Sequence, residues 1–123
     1  MSLCRGIRGA TLAGENTAAA IHAATGELLA KLIDANQIEE RDVAAAYFTM
    51  TPDLNACFPA AAARQLGWNN TALMGAAEIA VPGSLPRCIR ILILFNTDKE
   101  PQDLVNLYLN GTGVLRYQDV ESG

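Results

Sequence analysis

Apolar positions along this chain follow two registers, one with a period of two residues and one with a helical period. The densest period-two run is Arg87-Cys88-Ile89-Arg90-Ile91-Leu92-Ile93-Leu94-Phe95, where six of the last seven residues are large and apolar and three are isoleucine. It is too short to cross a membrane and too β-branched to favour a helix, so it predicts a strand buried on both faces. Alternation sets Cys88, Arg90, Leu92 and Leu94 on one side and Ile89, Ile91, Ile93 and Phe95 on the other. Arg90 thus stands among residues that leave water. A guanidinium keeps its charge on burial, so it needs an anionic or hydrogen-bonding partner, from the protein or from a ligand.

The other elements are arranged around this strand. Residues 3–11 read as a first strand, with Arg5 and Arg8 on opposite faces, so at most one of them shares a side with Arg90. Asn16 is placed to cap a helix running to about Ala35, with Ile21, Ala24, Leu28 and Leu32 as its apolar stripe and Asn36 as its stop. Residues 43–49 predict a second buried strand. It leads into an ordered loop over 51–59, where Asp53 reads as a turn-forming or capping carboxylate. Pro59 opens a short helix, 60–66, whose only charge is Arg64. Residues 67–70 form a turn and 71–75 a short extended segment. Glu78 follows inside the apolar run 75–81, where a lone carboxylate is an exposed charge, a salt-bridge partner or a functional group. Pro101 starts a predicted helix that ends before Gly111 and carries Leu104 and Tyr108 on one apolar face. A glycine-hinged tail follows, expected to be flexible over about 111–123. The order of elements predicts one domain over 1–123 of the α+β class, a mixed α/β sandwich with helices against a sheet.

Composition narrows the function. Half the residues are hydrophobic and 18% charged, a balance that favours self-association. A net charge of -4 argues against nucleic acid or an acidic membrane as partner. Seven of the nine cations are nevertheless arginine, the residue suited to planar carboxylates. Cys4, Cys57 and Cys88 lack the number and spacing of a disulfide framework or zinc site, and His22 is the only histidine. With neither a signal peptide nor a membrane span in the pattern, a cytoplasmic location is expected. No nucleophile–base pair and no phosphate loop is present. Arg8, Arg90, Arg64, Arg116 and Glu78 remain, a set able to clamp a small polyanion and hold a hydroxyl. Such a set suits a reaction driven by positioning and electrostatics, with no proton transfer or covalent intermediate, and no cofactor or metal is expected.

Six segments then occur in an informative order: Gly6-Ile7-Arg8-Gly9-Ala10-Thr11, Thr51-Pro52-Asp53-Leu54 with Phe58-Pro59-Ala60, Gly67-Trp68, Glu78, Cys88-Ile89-Arg90 and Val114-Leu115-Arg116. Together they resemble the monofunctional AroH-class chorismate mutases over nearly the whole chain. The resemblance implies conversion of chorismate, a dicarboxylate, to prephenate in phenylalanine and tyrosine biosynthesis. It also implies a homotrimeric pseudo-α/β barrel with sites in clefts between subunits. Within such a site Arg90 would donate to the ether oxygen and a carboxylate, Arg8 would grip that carboxylate, and Glu78 would accept from the ring hydroxyl. Tyr108 would contact a carboxylate, Phe58 and Leu115 would form apolar walls, and Leu73, Met74 and Gly75 would line the substrate. Arg64 and Arg116 would stand around the mouth of the cleft. The chain departs from the family pattern in two places: Ala61 stands where the family often has lysine, and Met74-Gly75 where it often has Thr-Cys. Those losses define the competing reading, a non-catalytic trimeric module that binds a small carboxylate.

Overall fold

The computed structural model describes residues 2–116. Five strands form one mixed sheet: β1 (Leu3–Leu12), β2 (Val43–Met50), β3 (Leu73–Ala77), β4 (Cys88–Thr97) and β5 (Leu107–Tyr108), in the spatial order β3-β2-β4-β1-β5. The apolar run of β4 lies at the centre. It pairs antiparallel with β1 along ten residues, from Leu3↔Thr97 to Leu12↔Cys88, and antiparallel with β2 on its other side. β3 and β5 add parallel edges to β2 and β1.

Helix α1 (Ala18–Asn36) crosses one face. Its Leu28, Leu29 and Leu32 are wholly buried and join Ile7, Phe48, Ile91, Ile93 and Phe95 in the main core. Each such side chain contributes about 1.5–3 kcal/mol by leaving water. A short helix, α2 (Ala61–Gln65), packs beside α1 and buries Ala62 and Ala63. The α+β reading therefore holds.

Three local expectations change. The cap of α1 is Thr17, whose hydroxyl accepts from Ala20 N at 3.1 Å. Asn16 instead ties down the distant loop: its Oδ1 accepts from Asn55 N and Ala56 N, and its Nδ2 donates to Asn55.

Second, residues 101–110 are not a helix. Pro101–Asp103 make a single 3-10 turn, after which the backbone is committed elsewhere. The amide of Asn36, buried at the end of α1, donates to Val105 O at 2.9 Å and accepts from Val105 N at 2.8 Å. Asn106 Oδ1 accepts from Arg8 N at 2.9 Å, and Leu107 and Tyr108 then pair with Gly9 and Ala10. Backbone groups held by these amides and by β1 cannot also close helical turns.

Third, among the described residues β4 is fully covered on one face and only partly on the other. Ile89, Ile91, Ile93 and Phe95 are at most 2% exposed, whereas Leu92 is 39% exposed. Helices α1 and α2 pack on the face of Ile91 and Ile93, while Leu115, Tyr108 and Leu85 cover the Cys88 end of the face carrying Arg90. Thr112, fully buried, donates to Leu109 O and Ala10 O, so the start of the tail lies against β1. The part of the expected tail over 117–123 lies outside the described residues.

Candidate active site

Register brings several candidate residues together on the face that carries Arg90. Ala10 stands opposite Arg90 and Arg8 opposite Leu92, so Arg8 and Arg90 are diagonal neighbours on one face, about 7–8 Å apart at their backbones. Arg5, on the other parity, pairs instead with Glu100 at 3.7 Å. On the far side of Arg90 stands Thr49 of β2.

Glu78 reaches this place because the β2–β3 ladder continues one residue beyond β3. Its N–H donates to Met50 O at 2.9 Å, which fixes its backbone beside Thr49. Its carboxylate Oε2 then lies 3.7 Å from Arg90 Nη1, with the two side chains 20% and 25% exposed. The same oxygen accepts the Thr49 hydroxyl at 2.6 Å. A direct charge-assisted bond between guanidinium and carboxylate would measure about 2.7–2.9 Å. Arg90 and Glu78 are thus an ion pair held just outside direct contact.

Tyr108 joins the cluster by a route the helical spacing concealed. In β5 it is paired with Ala10, hence on the Arg90 face, and it packs with Leu115 around Ala10 and Cys88. Its Oη is buried and has no hydrogen-bond partner among the described residues. A buried hydroxyl without a partner is costly in a closed core, and a ligand group beside it would relieve that cost. Cys88 lies beneath, its thiol pushed up to about 11 chiefly by burial, which leaves it a packing group and not a nucleophile.

The start of β4 is clamped three residues before Arg90. Asp53 accepts from the Thr51 hydroxyl and from Arg87 N at 2.8 Å, and Thr51 Oγ1 in turn accepts from Cys88 N at 2.9 Å. Arg87 has a left-handed φ of 50°. It is held there by bonds with Ala13 from both its backbone oxygen and its Nε. The Thr51 hydroxyl, with the Arg87 N–H, holds the Asp53 carboxyl below its usual range. The turn-forming reading of Asp53 is the one the geometry takes.

The remaining candidates lie elsewhere. Phe58, 83% exposed, and Gly75 line an open groove of about 490 Å³ between the 55–59 loop and the edge strand β3, together with Cys57, Ala76 and Ala77. Met74 is 62% exposed beside Tyr47, while Leu73 packs against the main core. Arg64 donates to the Trp68 carbonyl at the end of α2. Its charge reaches Glu40, whose carboxyl is held low first by the Asn70 N–H and then by the Thr71 hydroxyl. Arg116, exposed, is the last described residue. The candidates therefore fall into two groups among the described residues, one charged and one apolar. Sequence reading missed Thr49: a threonine in an apolar strand gives no signal beyond β propensity.

Fold and cluster together are those of a mixed α+β scaffold that presents arginines beside a tethered carboxylate. Residues 4–119 match the model of the family described as chorismate mutase type I. The chain is 52% identical to chorismate mutase AroH of Thermus thermophilus, covering 98% of both chains. It is 38% identical to chorismate mutase AroH of Bacillus subtilis, over 93% of this chain and 91% of that one. A solved chorismate mutase from Clostridium thermocellum superposes with a TM-score of 0.87 at 50% identity, covering 89% of this chain and 98% of that one. The chain belongs to the type I chorismate mutases, enzymes that convert chorismate to prephenate. No helix among the described residues is long and apolar enough to cross a membrane.

Proposed function

We propose that the chain rearranges chorismate to prephenate at the face built by Arg90, Arg8, Glu78 and Tyr108, with the Phe58–Gly75 groove of a second copy as the opposite wall. The single observation that carries this reading is the Arg90–Glu78 pair, partly exposed and separated by 3.7 Å on the sheet face shared with Arg8 and Tyr108. In the reaction the ether C–O bond breaks as a C–C bond forms within one molecule, and negative charge grows on the ether oxygen. Arg90 donates to that oxygen and to one carboxylate, and Arg8 holds the carboxylate. Glu78 accepts from the ring hydroxyl, while the Tyr108 hydroxyl contacts a carboxylate and Leu115 walls the pocket. A millionfold acceleration corresponds to about 8 kcal/mol. A preorganised donor at the developing charge supplies about 3–4 kcal/mol of this. Holding the flexible ether in its reactive chair supplies much of the rest. No proton is transferred and no covalent intermediate forms.

The assembly is a cytoplasmic homotrimer in this reading, with the Arg90 faces of the sheets turned inward. The exposure of Tyr47, Leu92 and Met74 at 38%, 39% and 62% supports it, because they form an apolar surface around the charged cluster. Arg64 and Arg116 stand at the mouth of the cleft. Subunit complementation tests site and assembly together. Arg90→Ala damages the charged half-site, and Gly75→Phe fills the groove. Each variant alone should be inactive. Mixed assemblies should regain activity, because one kind of cleft in them joins an intact cluster to an intact groove. Failure of any mixture to recover, with subunit exchange demonstrated, would place both halves in one chain.

A further inference from the structure

We propose that Thr49 is a positioning residue whose hydroxyl keeps Glu78 from collapsing onto Arg90. The inference rests on the reading of Glu78 and Arg90 given above. The Thr49 hydroxyl donates to Glu78 Oε2 at 2.6 Å, within the range of about 2.5–2.7 Å expected for a hydroxyl on a carboxylate. Arg90 Nη1 faces that same oxygen from 3.7 Å. Thr49 and Arg90 are direct cross-strand partners, so hydroxyl and guanidinium approach the carboxylate from adjoining positions on one surface. The Glu78 backbone is fixed by Met50, and its Oε1 is 3.3 Å from the Ile79 N–H, a long contact. The short bond to Thr49 is therefore what sets the direction of the carboxylate.

Opposite charges this close attract, and a closing movement of less than one ångström would convert the gap into a direct pair. Such a pair would turn the donor edge of Arg90 toward Glu78 and away from a substrate oxygen. It would also occupy the Glu78 oxygen meant for the substrate's hydroxyl. Thr49 supplies a competing, uncharged donor in a rigid strand and holds the carboxylate off the guanidinium.

The test is a mutant cycle read by chorismate consumption. Thr49→Val keeps the shape and the strand propensity while removing the hydroxyl; Thr49→Ala serves if the valine protein does not fold. Either should lower kcat/KM about ten- to hundredfold, the scale of a hydrogen bond to a charged group. Thr49→Ser should stay within about twofold of wild type, because it restores the donor. In a Glu78→Ala background, Thr49→Val should cost nothing further, since there is no carboxylate left to hold. Wild-type activity in Thr49→Val, with Glu78→Ala impaired, would overturn the inference and leave the role of Glu78 standing. Serine as poor as valine, or a valine loss that persists without Glu78, would mean packing alone and would equally overturn it. An unimpaired Glu78→Ala would instead remove the reading of Glu78 itself, and this inference with it.

Discussion

Gly9→Ala and Gly26→Ala make the same chemical change, and the structure assigns them opposite signs. A Cβ on Gly9 would lie 2.8 Å from the Leu107 carbonyl oxygen, 2.9 Å from a Leu28 methyl and 3.1 Å from a Leu32 methyl. The two leucine methyls can shift, but the carbonyl belongs to the backbone of β5, which must retreat by several tenths of an ångström. That strand is only two residues long and is held by its pairing with Gly9 and Ala10 and by Leu109 N donating to Ala10 O. Overpacking of this kind costs about 1–3 kcal/mol, and each ladder bond loosened adds about 1 kcal/mol. We expect Gly9→Ala to lose about 2–4 kcal/mol. A Cβ on Gly26, inside α1, meets nothing within 4 Å, so alanine there should gain about 0.5–1 kcal/mol from backbone entropy. Urea unfolding of both proteins at one fixed concentration measures the difference, since association changes apparent stability. Because β5 carries Tyr108, Gly9→Ala should also lower kcat/KM in the population that remains folded. An unfolding midpoint for Gly9→Ala at or above that of wild type would refute the close approach of β5 to β1.

Two further outcomes follow from the titrating groups. The folded-state pKa of Asp53 is lowered from its ordinary 3.8, so its contribution to stability is present above that value and is lost as pH falls through the folded value. Asp53→Asn should therefore be less stable than wild type at neutral pH, with the gap narrowing in acid; an equal gap at all pH values would contradict the clamp. At pH 8 a thiol reagent such as DTNB should label exposed Cys4 quickly and Cys88, buried and pushed up to about 11, only on unfolding. Rapid labelling of a Cys4→Ser, Cys57→Ser double variant would show that Cys88 is open to solvent and would contradict its burial.

Much of the fold was legible because its signals are local. The alternation of Ile89, Ile91, Ile93 and Phe95 against Arg90 foretold the central strand, although Leu92 on its other face is exposed where burial was expected. The leucine stripe placed α1 against it. The errors share a cause, which is partners distant in sequence. Pro101-Gln102-Asp103 is a sound helix start, but Asn36 is 69 residues from the Val105 backbone it captures, and no local rule weighs such a bond. Asn16 and Thr17 are both good caps. Only the loop at 55–56 decides which of them is free to act as one. Alternation likewise could not say that Leu92, on the second face of β4, is 39% exposed among the described residues, since an apolar residue reads the same whether it is covered or not. The site followed the same division. Arg90 was visible from its burial conflict, whereas the pairing of Glu78 with it needed the resemblance or the structure, and Thr49 needed the structure.

The most direct test of the central claim is the rate of chorismate absorbance loss for wild type beside Arg90→Ala, with the fold and assembly of both proteins verified. The account predicts rapid consumption with prephenate as product in the wild type, and a loss of several orders of magnitude in the variant. Arg90→Lys should be severely impaired as well, because a point charge cannot reproduce a two-pronged contact. An Arg90→Ala protein that is folded and turns over at the wild-type rate would contradict the account, and would move the chemistry away from this face of the sheet.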